Sequence, residues 1–439
     1  MRKSRLNRDY ERRPYWHATM PLVPDRSRRD LPDTADVVVV GGGYTGVAAA
    51  RRFAQQGARV TLVETHELGW GASTRNGGII HPGYKWGPRA LIRRYGEEGG
   101  RALFHETLAG YAYVRDTIAR EGIDAEFREH GHLELAYGHA HVPGLDVARD
   151  SLALMGVSSR VVGGAELRAE IGTDAFPAGL AVDGGGLLHP GKWFAALVGL
   201  AEAAGADLHA GVRARALRPQ ADGRVVVETD RGAILARHVL VATNGYTDGV
   251  APSLRRRLMP IGSYIIATEP LPADLARSLA PTDRAFFDTK SFLNYWHVSA
   301  DRRMVFGGRV SFMPTNVDRT AAALHRRMIE IHPGLTGYRI EFSWGGKVAL
   351  TMDRMPHAGR KGPIAWAMGY CGTGVAMSTY LGTRMAEWLG GGEQPELAKL
   401  RFPLVPAPYE GRPWFLPIIS EWFRLQDRRV ARSRPRASG

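Results

Sequence analysis

Apolar positions along this chain follow two different rhythms. Val37 to Val40 are four consecutive β-branched residues, the pattern of a strand covered on both faces as in a parallel sheet. They run into Gly41-Gly42-Gly43-Tyr44-Thr45-Gly46, after which Val47-Ala48-Ala49-Ala50 opens a helix. A second such strand, residues 59–63, ends at Glu64. By contrast, residues 132–136 (His-Leu-Glu-Leu-Ala) alternate with period two, the mark of a strand with unlike faces. Residues 263–268, 292–299 and 303–310 alternate as well, with 300–302 as a turn, and 338–344 completes this set. Spacings of three and four through Phe104, Leu108, Tyr111, Val114 and Ile118 predict helix over 88–122, broken at Gly99-Gly100. Shorter helices are expected at 165–171, 190–204 and 318–331, and strands at 208–217, 224–228, 238–242 and 364–368. The last of these leads into a second glycine-rich turn, Gly369 to Val375, and a helix to Leu389.

The two rhythms alternate, which predicts two interleaved domains. Residues 35–95, 176–254 and 345–391 form a discontinuous α/β, Rossmann-type domain. Residues 96–175 and 255–344 form an α+β domain with a mixed or antiparallel sheet. Residues 1–34 carry prolines at 14, 21, 24 and 32 and no periodicity, so an extended surface arm is expected. Residues 392–439 are a C-terminal extension.

Gly41, Gly43 and Gly46 fit G-x-G-x-x-G between a strand and a helix. The first permits the tight turn, the second lets backbone approach a pyrophosphate, and the third packs helix on strand. Unpaired N–H groups at the helix start would hold the diphosphate, with Tyr44 and Thr45 beside it. Glu64, with Thr65 after it, is placed to accept hydrogen bonds from a ribose and to repel a 2′-phosphate. Together these features read as an adenine-dinucleotide site. In the glycine-rich stretch that follows, Gly71, Ala72, Ser73, Arg75, Asn76, Gly77 and Gly78 suit phosphate, ribityl oxygens and the edge of a flat ring. Ala242-Thr243-Asn244-Gly245 is a strand-to-turn switch where a dinucleotide can pass, and Ala214 is assigned to the same site.

Composition narrows the class. At 439 residues with 44% hydrophobic and 23% charged residues, the chain is an ordinary globular protein. No apolar run reaches the length of a bilayer span and no signal-peptide core follows the basic N-terminus, so a cytoplasmic protein is expected. One cysteine, Cys371, excludes an internal disulfide and a thiolate metal cluster; no metal is expected. The net charge of +14 concentrates at the two ends. Those ends read as solvated tails rather than arms for nucleic acid or anionic membrane, since no recognition motif accompanies them. The aromatic stretch 414–423 reads as packing on the body or a partner rather than an interfacial helix.

The four stretches Gly41–Gly46 with Glu64, Gly71–Gly78, Val241–Tyr246 and Gly369–Val375 resemble the D-amino-acid oxidase/glycine oxidase superfamily of FAD enzymes. Tyr15-Trp16, Gly69-Trp70-Gly71-Ala72-Ser73-Thr74-Arg75-Asn76, Trp344-Gly345-Gly346, Asp353-Arg354-Met355-Pro356-His357 and Arg412-Pro413-Trp414 are most similar to its γ-glutamylputrescine oxidoreductase branch. The resemblance implies FAD, bound at one end by the first motif and at the other by Gly372, Thr373, Gly374 and Val375. It implies oxidation of an amine C–N bond by hydride transfer to flavin N5, followed by imine hydrolysis, with O2 or another acceptor closing the cycle. The positions where covalent relatives carry histidine or cysteine hold Arg75 and the segment 346–350, so FAD is expected to be non-covalent.

Other departures bear on the substrate. Val348 stands where glycine oxidases have an arginine, and Ala376 where sarcosine oxidases have a lysine; both absences count against a small α-amino acid. Val305 lies near the place of the lysine that assists oxygen reduction, and Thr373 where histidine is common. Lys347 and Arg354 keep a D-amino-acid or glycine-type enzyme open as the alternative. A non-flavin dinucleotide- or nucleic-acid-binding protein is the alternative of another class. Tyr264, Tyr295, His297 and Lys347 are the candidates to line the flavin. His81, His297 and His357 could each face the flavin, but a structural histidine is the readier reading for any one of them.

Overall fold

A computed structural model describes residues 6–7, 9–27, 29–308 and 316–431. The basic ends at 1–5 and 432–439, and the expected strand positions 309–310, lie outside them.

The first sheet is parallel at its centre. Strand Thr34–Val40 lies between Gly232–Val241 and Val60–Val63, and Ile364–Met368 and Asp207–His209 extend it. His357–Lys361 closes one edge in the antiparallel sense, and the hairpin Ala214–Pro219/Val225–Thr229 extends off Gly232–Val241. The valine run explains the layering. Val37 and Val39 pack under the helices Tyr44–Gln55, Pro190–Ala203 and Gly374–Leu389, while Val38 and Val40 enter a second apolar layer with Ala236, Val239 and Leu254.

The second sheet has the order Ile340–Leu350, Met259–Thr268, Met304–Gly308, Asn294–Val298, Ala285–Asp288, His132–Leu135, Ala178–Val182, Ser159–Gly163. Only the pair Ala285–Asp288/His132–Leu135 is parallel. Its lower face buries Leu133, Leu135, Phe286, Trp296 and Phe306 against the helix Val317–Ile331. The other face carries His132, Glu134, Phe287 and Tyr295 toward the first domain.

Several expectations need correction. The helix Pro88–Arg120 belongs to the core of the first domain through Leu91, Phe104, Tyr111 and Val114, whereas Ala178–Val182 and all of Ile340–Leu350 belong to the second sheet. The helix breaks at Gly96 (φ 80°) and not at Gly99-Gly100. Gly100 instead marks a close approach, since a Cβ there would lie 2.4 Å from the Ile92 nitrogen. Residues 208–217 are two strands, Asp207–His209 and Ala214–Pro219. The N-terminal arm is no surface wrap. Its short helix Tyr15–Thr19 sinks Tyr15 and Trp16 to 2% and 1% exposure beside Trp344 and Phe342. At the other end, helix Leu416–Ala431 packs through Leu416, Ser420 and Asp427 and leaves Ile418, Trp422 and Leu425 exposed. Among the described residues no helix is long and apolar enough to cross a membrane, and no cluster of metal-ligating side chains occurs.

Candidate active site

The strand Thr34–Val40 ends in a turn that is made almost entirely of backbone. Gly41 (φ +113°) donates to Val63 C=O at 2.9 Å, and a Cβ on it would meet the Ala242 backbone at 2.9 Å. A Cβ on Gly46 would lie 1.9 Å from Gly41 C=O, so any side chain there parts helix from strand. The first intrahelical bond of Tyr44–Gln55 is Val47 N–H to Gly43 C=O, 2.9 Å, which leaves the N–H groups of Thr45 and Gly46 ahead of it. They stand at the positive end of the helix, suited to an anion. At the end of the neighbouring strand, the Glu64 carboxylate accepts from Gly42 N–H (2.8 Å) and His66 N–H (3.0 Å) and faces the cavity beyond.

That cavity, of about 460 Å³, is lined by Gly41, Gly43, Tyr44, Thr45, Glu64, Thr65, Gly71, Ala72, Ser73, Asn76, Ala214, Ala242, Thr243, Asn244, Gly372, Gly374 and Val375. Gly46, Gly78 and Gly245 lie behind its wall, and their role is packing: a Cβ on Gly78 would stand 2.3 Å from Leu188 C=O. Val212 and Arg213, which no sequence motif marks, also line it, as do Trp70 and Tyr246 from the stretches that carry the family resemblance. Trp70 stacks on His66 at 4.0 Å between centroids and meets Tyr246 edge-on. The Gly-Trp-Gly triplet carried a signal for Trp70, but nothing in the sequence singled out 212–213.

The stretch 71–78 satisfies itself. Ser73 Oγ accepts from Tyr44 N–H (2.9 Å), while Asn76 donates to Ala72 and Ser73 carbonyls and accepts from Gly78 N–H. The Arg75 guanidinium donates to Trp70 C=O (2.7 Å) and Gly345 C=O (3.3 Å) and stacks on Trp70. These side chains shape the cavity and are already bonded. At the far end, Gly369 N–H donates to Asn244 Oδ1 (2.9 Å), tying the late glycine turn to the 242–245 switch. Gly382 of the late helix lies against the Thr45 backbone, and Thr45 Oγ1 and the Tyr370 hydroxyl share a 2.7 Å hydrogen bond. The starts of the two glycine-rich helices are therefore locked together at the cavity. Cys371 is buried with its thiol against Gly369 C=O and Thr351, and burial pushes its pKa up, against thiolate chemistry.

A second cavity of about 490 Å³ adjoins the first and shares Ala72, Asn76, Lys347, Val348, Gly372 and Val375 with it. Arg75, Gly77 and Thr373 face this one. Its walls come from the second sheet (Glu134, Phe287, Tyr295), the segment 81–88 and Phe104. Burial keeps His132 neutral, its pKa lowered to about 3, and lowers His81 as well. Of the flavin-facing candidates, Tyr295 and Lys347 line this space. The Tyr295 hydroxyl lies 3.1 Å from Ser263 Oγ, and Lys347 Nζ sits 5.0 Å over the Tyr246 ring. His297 lies behind Gly77, sharing a 2.9 Å hydrogen bond with its carbonyl, and Trp16 donates to Asn76 C=O at 2.8 Å. Tyr264 lies on the opposite face of the sheet, in the apolar layer with Ile266 and Phe306, and reaches neither cavity. His357 is likewise remote, paired with Asp353 and stacked on Phe402.

The cavity pair suits a dinucleotide that runs from Glu64 past Thr45 to the shared wall. The cradle at Gly41 and Gly43, which a side chain would fill, and the two open N–H groups fit its diphosphate. Comparison with known proteins agrees. The profile described as FAD dependent oxidoreductase (DAO) matches residues 36–388. The γ-glutamylputrescine oxidoreductase of Escherichia coli (strain K12) is 31% identical over 404 residues, covering 90% of this chain and 93% of that one. A probable oxidoreductase OrdL of Rhizobium meliloti (strain 1021) is 31% identical over 421 residues, covering 94% and 97%. The crystal structure of glycine oxidase from Geobacillus kaustophilus superposes with a TM-score of 0.70 at 20% identity, over 85% of this chain and 99% of that one, a likeness of fold.

Proposed function

The chain belongs to the DAO family of FAD-dependent oxidoreductases, and from that premise we propose that it oxidises the C–N bond of an amine resembling γ-glutamylputrescine. Bound non-covalently in the first cavity, FAD supplies a two-electron acceptor for the hydrogen on the carbon next to nitrogen. The protein's part is to bind, orient and exclude water. Backbone at Gly41–Gly46 and Glu64 would hold the adenosine diphosphate half. The start of helix Gly374–Leu389, with Gly372, Gly374 and Val375 on the cavity wall, would present its positive end to negative charge on the reduced ring. Val348 on the shared wall and Tyr295 in the second cavity would flank the amine.

The observation that carries this reading is that, among the described residues, Lys347 is the one cation on that wall. Val348 occupies it, and the Arg75 guanidinium is already bonded to two backbone carbonyls. An α-carboxylate next to the reacting carbon would have Lys347 alone to pair with, and unpaired it would cost several kcal/mol, whereas an amine with a distant carboxylate carries no such penalty. Anaerobic mixing of the purified flavoprotein with amines and amino acids tests this. Bleaching by γ-glutamylated diamines supports it; bleaching by glycine or D-alanine alone sinks it.

Lys347 favours a second reading, as an α-amino-acid oxidase or dehydrogenase, because its side chain reaches the shared wall with no carboxylate partner among the described residues. Lys347→Met separates the two: an amino-acid enzyme loses substrate affinity, an amine enzyme keeps it. Peroxide measured during turnover in air tells O2 from another acceptor.

A further inference from the structure

Glu134 is the one carboxylate lining the second cavity among the described residues. On its strand, Leu133 and Leu135 turn into the apolar layer below, and His132 and Glu134 turn up into the cavity. Glu134 is paired with Leu180 on one side and Phe287 on the other, and Phe287 is paired in turn with Tyr295. These four side chains form a row across one face of the sheet. Tyr295 marks the flavin end of the row, since its ring lies against Gly77. Glu134 stands two strands further on, about 10 Å away at the ordinary strand spacing.

The Glu134 carboxylate has no hydrogen bond or ion pair with any described residue, and its neighbours across the sheet are apolar. An acid in such a place is costly unless something pairs with it. Its pKa is raised by desolvation, and Lys85, on the same cavity, is the cation that opposes this. The nearby imidazoles offer no charge: His132 is held to about 3, and His81, 5.1 Å from it between ring centroids, is lowered too. The cavity thus holds one anion away from the flavin wall, and on the same cavity a cation, Lys85, whose charge reaches both Glu134 and Cys371.

We propose that Glu134 and Lys85 form a distal subsite for the zwitterionic head of the substrate, Glu134 taking an α-ammonium and Lys85 the α-carboxylate. The inference rests on the amine-oxidation reading and sets the length of the substrate. The stretch of about 10 Å from Glu134 to Tyr295 corresponds to three extended residues, or roughly nine bonds. An α-amino acid cannot span it. A γ-glutamyl diamine, with about eight bonds from its α-carbon to the carbon oxidised, does so when nearly extended. The subsite would therefore select against free short amino acids by distance and against simple monoamines by charge.

The test is calorimetric binding to the FAD-loaded protein, using two probes that lack the oxidisable terminal amine. One is γ-glutamyl-n-butylamide, with a free α-ammonium; the other is its N-α-acetyl derivative. Wild-type protein is expected to prefer the first by about tenfold or more, the usual worth of a charge-assisted hydrogen bond. Glu134→Gln should erase that preference with flavin content unchanged, and Glu134→Asp should retain part of it. Lys85→Met should weaken both probes alike, since both keep the carboxylate. No preference in the wild type, or a preference that survives Glu134→Gln, overturns the subsite. Failure of every amine to bleach the wild-type flavin would instead overturn the amine-oxidation reading, and that outcome is separate from the probe preference.

Discussion

The two cavities share a wall but are built from different material. The first is framed by backbone: glycines whose missing side chains make room, N–H groups at helix starts, and one carboxylate fixed by two amides. The second is framed by side chains that project from a sheet face, each brought in by a different strand. A backbone site tolerates little change at its glycines, because nothing smaller can replace them. A side-chain site can be altered one position at a time. Cofactor binding and substrate choice should accordingly be separable by mutation.

The largest effect should come from Gly46→Val. With a Cβ 1.9 Å from Gly41 C=O, helix and strand cannot keep their packing, and the purified variant should carry no flavin. A yellow, FAD-saturated variant would break the contrast. Trp16→Ala should come next, because Trp16 is fully buried and also holds Asn76 C=O beneath both cavities. A loss of about 3–5 kcal/mol is expected in denaturant unfolding. Glu64→Ala should weaken FAD by about 10- to 100-fold, measured by flavin fluorescence, through loss of the proposed ribose acceptor and of the bonds to Gly42 and His66. Its preference among amines should not move; a shift in preference would blur the two cavities into one.

Acid should act on the floor of the site. His17, bonded to Thr74, and His297, bonded to Gly77, are both held neutral by burial, with pKa values lowered to about 4. Groups whose native pKa lies below the unfolded value near 6.5 favour the fold above that value. Their contribution fades as pH falls from about 6.5 toward 4. Thermal stability of the flavoprotein should decline over that window, and His297→Gln should flatten the decline. The smallest change is expected from Tyr295→Phe, which removes one hydrogen bond with Ser263. It should shift KM by less than about tenfold and leave FAD affinity untouched.

The difference between the cavities also decides what could be read from sequence. The turn at Gly41, Gly43 and Gly46 and the strand end at Glu64 were legible because a local backbone turn leaves a local pattern. The alternation at 132–135 revealed a strand but not which face would line the second cavity, so Glu134 went unremarked. The same ambiguity placed Tyr264 among the flavin-facing residues, although strand pairing turns it into the lower core. Register across eight strands decides such faces, and no single segment encodes it. Tyr15-Trp16 looked like part of a loose arm because two aromatics in a five-residue helix have no periodicity to detect. Their burial depends on Trp344, Phe342 and His189, all distant in sequence.

A structure of the protein with FAD bound tests the central claim most directly. The adenosine is expected beside Glu64, the diphosphate on Thr45 and Gly46 N–H, and the ring system at the wall formed by Ala72, Asn76, Lys347, Val348, Gly372 and Val375, open to the Glu134 cavity. A ring system bound away from that wall, or one that fills the second cavity and leaves no room for an amine, would contradict it.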